Sequence, residues 1–148
     1  MTTTITTSDQ LSPAFTLMAA GRIAWGTAAV LAPRTNLRVA GAPSLGAPHT
    51  DYLIGVFGVR ALAIGLGYVT GDAATRARWR RFGLLVDVVD TVNGLARLAA
   101  ADDAESRRAG RLMVAITGAY AIVGLTDAAA GIVRSRQTAR RARSALAA

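Results

Sequence analysis

Four apolar stretches divide this chain, and charge, proline or glycine bounds each of them. A helix needs roughly 20 mostly apolar residues to cross the hydrocarbon core of a bilayer. The first stretch runs from about Ala14 to Ala32, opened by Ser12-Pro13, an N-cap hydroxyl with a first-turn proline, and closed by Pro33. The second runs from about Tyr52 to Thr70 and stops at Gly71. The third spans about Phe82 to Ala101, between Arg80-Arg81 and Asp102-Asp103, and the fourth about Leu112 to Val133, between Arg111 and Arg134. In a soluble bundle a charged face would recur every three or four residues. Tyr52 to Thr70 holds the single charge Arg60 and Leu112 to Thr126 holds none, so these helices are apolar all round, as lipid requires. The pattern predicts an all-α integral membrane four-helix bundle, up-down-up-down, forming one membrane domain over residues 1–148 with a basic tail over 134–148.

Ala40-Gly41-Ala42 has the small-x-small form of a signal-peptide cleavage site, but the reading fits poorly. The preceding N-terminus carries no basic side chain, Arg22 interrupts the apolar stretch, and Pro43 would follow the cut, so the first helix is expected to remain. Pro33, Gly41, Pro43, Gly46 and Pro48 break the first loop, leaving room for a short helix around Asn36 to Val39 over the outer mouth of the bundle. The tail after Val133 alternates arginine with small residues, which fits either a helix along the surface or a frayed end.

Composition sharpens the picture at one point. Hydrophobic residues make up 52% and charged residues 18%, yet the net charge is +8, so the few charges are mostly of one sign. All 17 basic residues are arginines. With no cysteine, disulfides and thiol chemistry are excluded, and the lone His49 offers little to a metal, so neither cofactor nor metal site is expected.

Where the arginines fall sets the expected orientation. The side shared by the N-terminal tail, the second loop and the C-terminal tail holds nine, Arg76, Arg78, Arg80, Arg81, Arg134, Arg136, Arg140, Arg141 and Arg143. The other side holds five, Arg34, Arg38, Arg107, Arg108 and Arg111, among Asp102, Asp103 and Glu105. Both termini are therefore expected in the cytoplasm, with the protein in the inner (plasma) membrane. The two clusters have the density of a phosphate-binding patch, but both abut helix ends, where arginines meet anionic lipid headgroups. Arg76, Arg78, Arg80, Arg81, Arg134 and Arg136 are read as lipid contacts, with Trp79 at the interface, and no nucleic-acid partner is expected.

Six ionisable residues lie within the spans: Arg22, Arg60, Asp87, Asp90, Arg97 and Asp127. Facing lipid, they would cost roughly 15 to 20 kcal/mol, more than the stability of a typical domain at about 5 to 15 kcal/mol. They must face one another, water or a partner. Arg22 and Arg60 lie near mid-span, with Asp90 close to that level and Asp87 and Asp127 nearer the inner face, so the expected polar network is Arg22, Arg60, Asp87, Asp90, Asn93, Tyr120 and Asp127. Asp87, Asp90, Asn93 and Arg97 follow spacings that place them on one helical stripe, and Tyr120 and Asp127 share a face of the fourth span. Arg97, nearer the outer end, is expected to snorkel. Small pairs such as Ala20 and Ala24, Ala61 and Gly65, or Ala63 and Gly67 would let backbones approach closely. The network reads either as glue that fixes helix register or as a cavity for a headgroup or proton.

The stretch Arg22-Ile-Ala-Trp-Gly-Thr-Ala-Ala-Val-Leu-Ala-Pro33, then Gly58-Val-Arg60-Ala-Leu-Ala-Ile-Gly65 and the aspartate-bearing third helix, resembles the small four-helix membrane proteins called DoxX-like. The resemblance covers the first three helices and implies the fold more than an activity. The chain is also similar to small actinobacterial subunits that accompany Mce-type lipid transporters, which would imply an accessory role.

The leading expectation is a non-enzymatic accessory or stabilising subunit of a larger membrane complex, of which a lipid transporter is one type. The alternative is a binder or carrier of a small hydrophobic or anionic lipid ligand, with Arg22 and Arg60 holding the headgroup. An enzyme using Asp87 or Asp90 as a base is the weakest reading, because no nucleophile, metal cluster or phosphate-binding loop accompanies them. Gly65-Leu-Gly67 lacks the strand-turn-helix setting that such a loop needs.

Overall fold

Three helices begin on a proline, where the missing N–H is one that the first helical turn would leave unpaired anyway. They are α1 (Pro13–Leu31), α2 (Pro33–Val39) and α3 (Pro48–Val69), and they are followed by α4 (Ala73–Ala99) and α5 (Ala104–Leu146) in this computed structural model, which describes residues 12–146. Among the described residues every regular element is helical, the remaining one being a single 3-10 turn at Pro43–Leu45. The Ser12 hydroxyl caps α1 by accepting from the Phe15 N–H at 3.4 Å, and the Asp72 carboxylate caps α4 by accepting from the Thr75 N–H at 2.7 Å. Asp103 does the same for α5, accepting from the N–H and the hydroxyl of Ser106 at 2.8 and 2.6 Å.

Three helix starts differ from those expected of the sequence, and the first is that of α3, at Pro48 rather than near Tyr52. α4 starts at Ala73 rather than near Phe82, so Arg76 to Arg81 lie on a helix and not in a loop. The arginine cluster resembled the end of a span, but the start signal is the Asp72 cap one turn before Thr75. α5 starts at Ala104 rather than near Leu112, and it continues through the expected tail to Leu146. No proline interrupts it, and the alanines and arginines after Val133 favour helix.

Successive long helices run antiparallel and form two close pairs, α1 with α3 and α4 with α5, while α1 scarcely touches α5. Glycines set the first pairing. A methyl group on Gly26 would stand 2.6 Å from the Gly58 carbonyl oxygen, and one on Gly58 would stand 2.7 Å from the Ala29 Cβ, so the two backbones nearly touch. Gly65 likewise lies against Ala19 and Arg22. Of the small residues expected to let backbones approach, Gly65 and Gly67 are buried, Ala61 is half-buried, and Ala20, Ala24 and Ala63 are exposed; the buried stripe of α1 runs instead through Ala19, Arg22, Gly26 and Ala29.

The apolar core sits at one end of the molecule, where Phe15, Met18, Ala19, Ile64 and Tyr68 pack together with Trp79, Val86, Tyr120 and Val123 around them. The Phe15 and Tyr68 rings meet edge-on at 5.4 Å. At the opposite end, α2 closes with Gly41 at φ 70°, where the N–H groups of Gly41 and Ala42 bond back to Arg38 and Leu37. The Ser44 N–H and hydroxyl then donate to Glu105, clasping this loop to the start of α5.

Among the described residues three helices are, by length and composition, apolar enough to cross a membrane, namely α1, α3 and α5. α4 is long enough at 27 residues but carries more charge.

Candidate binding cavity

Between the two helix pairs lies a half-open cavity of about 630 Å³. Its α4 wall is the stripe Asp87, Asp90, Asn93 and Arg97, about 15 Å long at the helical rise of about 1.5 Å per residue. Two ion pairs cross its floor. Arg22 Nη2 donates to both oxygens of Asp87, at 2.5 and 2.6 Å, and Arg60 Nη2 donates to Asp90 Oδ2 at 2.5 Å.

Aromatic rings frame these cations. The Arg22 guanidinium lies 4.6 Å from the Tyr120 ring centre and 5.6 Å from that of Tyr68, and Arg60 lies 4.8 Å from Phe57. Arg22 and Asp87 are 6% and 1% exposed, so they form a closed ion pair. Among the described residues the buried Arg22 Nε has no hydrogen-bond partner. Behind the floor, the hydroxyls of Thr91 and Thr117 are hydrogen-bonded at 3.0 Å, joining α4 to α5.

The remaining expected residues fall in different places. Asn93 and Arg97 line the part of the cavity nearer the C-terminal end of α4, and neither side chain has a hydrogen bond or ion pair among the described residues. Tyr120 lies under Arg22. Asp127 does not reach this group, because it stands 4.0 Å from Arg80 Nε, in a second cleft of about 910 Å³ that also includes Arg81 and Arg134. The early start of α4 brings Arg80 to the level of Asp127, which a loop at Arg76 to Arg81 would not have done. Arg76 donates to the Gly71 carbonyl at 2.6 Å, and Arg78 and Arg136 are exposed.

No protein-family model, curated protein or solved structure matches this chain. Of the residues quoted above from the first two spans, Gly58 lets α3 approach α1, and Arg22 and Arg60 cross to α4. Tyr68 and Trp25 were not singled out in the sequence. Tyr68 is buried against Phe15 and Arg22, and an aromatic residue three positions after Gly65, one turn along the same helix, was the available signal. Trp25 lines the cavity one turn beyond Arg22. Among the described residues no three histidine, cysteine, aspartate or glutamate side chains gather as a metal site.

Proposed function

We propose that this chain is a non-enzymatic integral membrane protein of four spans, and that its charged cavity binds a small amphiphilic molecule. The observation that carries the reading is an inverted distribution of polarity. Arg22 and Asp87 are buried, while Leu17 and Leu31 are 75% and 78% exposed. Water favours the opposite arrangement, with large apolar side chains inside, whereas hydrocarbon surrounds apolar side chains at no cost and drives charges together.

α4 fits a fourth span once its faces are distinguished. Leu85, Val88, Val89, Val92 and Leu95 are exposed, while Asp87 and Asp90 turn inward to arginine partners. The excess of arginine at the α3–α4 connection and along the end of α5 supports cytoplasmic termini in the plasma membrane. Arg76, Arg78, Arg80, Arg81, Arg134 and Arg136 then meet anionic headgroups of the cytoplasmic leaflet.

Topology is testable because the chain has no cysteine of its own. A single cysteine at Ser44 or Ser106 is expected to react with a membrane-impermeant maleimide in intact cells, and one at Thr75 or Ser135 only after lysis. Labelling of all four in intact cells would exclude this arrangement. For the cavity, an alkyl chain carrying bromine is expected to quench Trp25, and absence of quenching by any such chain would count against a binding role.

A second reading, an accessory subunit of a larger membrane complex such as a lipid transporter, draws on a different surface. A methyl group added at Gly55 or Gly131 would meet nothing within 4 Å, and Gly55 lies among exposed Tyr52, Val56 and Val59. Small residues left open in this way suit a neighbouring helix. Solubilisation of native membranes decides it, because a chain that migrates alone in several mild detergents has no stable partner.

A further inference from the structure

Resting on the binding role proposed for the cavity, we infer that its ligand is an anion: a small amphiphile whose compact carboxylate or phosphate sits on Arg97 and Asn93, with its apolar body against Trp25 and Phe57. The cavity walls carry three arginines and two aspartates. Arg22 and Arg60 are matched by Asp87 and Asp90, and Arg97 is left over. Its exposed side chain has no hydrogen bond or ion pair among the described residues, and neither has that of Asn93 one turn before it. The nearest acidic residues along the chain do not serve Arg97, since Asp103 holds Ser106 and Asp102 is exposed at the turn beyond α4.

The geometry suits an amphiphile better than a bare ion. The lining that Arg97 and Asn93 share also includes the apolar side chains of Trp25, Phe57, Met113 and Ile116. A volume of about 630 Å³ lies within the roughly 300–1,000 Å³ common for single small-molecule sites. A guanidinium presents its donors in a planar fork that matches both oxygens of a carboxylate or two of a phosphate. The Asn93 amide adds a donor on the same side of α4. Nothing comparable exists for a cationic headgroup, because both cavity aspartates are engaged by arginine.

Trp25 reports on occupancy, and a Trp25→Phe chain measures the background from Trp79. The full-length protein in nonionic detergent is titrated with ω-bromoundecanoate, ω-bromoundecanol and ω-bromoundecyl-trimethylammonium. The carboxylate is expected to quench Trp25 at concentrations about tenfold or more below the other two, as suits a charge-assisted pair. Arg97→Gln abolishes that preference while leaving thermal stability unchanged, Arg97→Lys keeps part of it, and Asn93→Leu reduces it independently. A bromoalkyl phosphate run in parallel separates the two headgroup sources, the tighter of the two anions naming the source. Equal quenching by all three undecyl probes, or undiminished carboxylate binding by Arg97→Gln, overturns the anion assignment but leaves the cavity a binding site. Quenching by none of them overturns both.

Discussion

Arg22 reaches across 65 positions of sequence to place one nitrogen, Nη2, against both carboxylate oxygens of Asp87. The two residues belong to α1 and α4, which otherwise approach each other little. This pair, with Arg60 and Asp90 beside it, therefore ties the α1–α3 unit to α4 and hence to α5.

Asp87→Asn leaves a buried guanidinium without its counter-charge, and the expected loss is about 3–5 kcal/mol. Chemical unfolding in detergent micelles measures it. Replacing both residues together, Arg22→Met with Asp87→Leu, is expected to cost less than either single change, because no uncompensated charge remains. A double variant as damaged as the sum of the singles would mean that the two side chains act independently.

Arg60 and Asp90 are more accessible, at 37% and 21% side-chain exposure, and their pairing is expected to tolerate exchange. Arg60→Asp and Asp90→Arg should each lower the thermal midpoint, and the combination should recover a coupling energy of about 1–2 kcal/mol. Failure of the swapped chain to regain stability would show that the pair contributes nothing through direct contact.

Two glycines on one helix should respond oppositely. Gly58→Ala drives a methyl group against Ala29 and the Gly26 carbonyl, with an expected loss of about 1–3 kcal/mol. Gly55→Ala meets nothing within 4 Å and is expected to be neutral or to stabilise α3 by up to about 1 kcal/mol. Paired melting curves of the two variants check this directly.

Acid should weaken two helix starts outside the spans. The Thr75 backbone N–H and then its hydroxyl hold the Asp72 carboxyl below its ordinary value, and the Ser106 hydroxyl and then its N–H do so for Asp103. A depressed folded value means that the capping contribution is complete above the unfolded carboxylate value of about 3.9 and is lost as pH falls through the lower folded one. The combined Asp72→Asn, Asp103→Asn chain keeps a capping side chain that does not titrate. Its thermal midpoint is expected to fall less than the native one below about pH 4. Parallel curves for the two chains would refute the assignment.

The apolar run and Ser12-Pro13 made α1 legible almost to the residue, whereas α3 starts four residues before the expected Tyr52, because Pro33 and Pro48, read as breakers, are the first residues of α2 and α3. The stripe from Asp87 to Arg97 was legible for the same kind of reason, because a period of three or four residues is visible without knowing what the stripe faces. What α4 meets at its inner end was not. Whether Asp127 finds Arg22 or Arg80 depends on how far α4 extends, and the four arginines in Arg76 to Arg81 obscured the Asp72 cap that sets its length. At the α1–α3 interface Gly65 is buried as expected, but on α1 the buried residue is Ala19 and not the expected Ala20. Ala19 and Ala20 are equally small, and only the crossing of Gly26 over Gly58 decides which of them is buried.

At 43 residues α5 is about 65 Å long, roughly twice the thickness of a hydrocarbon core. Thr117 and Tyr120 stand beside the cavity, and the five arginines from Arg134 to Arg143 ride on the far end of the same unbroken rod. A lever pivoting near its waist swings its tip through a wider arc than its fulcrum. Any change of tilt where Tyr120 meets Arg22 is thus magnified into lateral travel of five guanidinium groups.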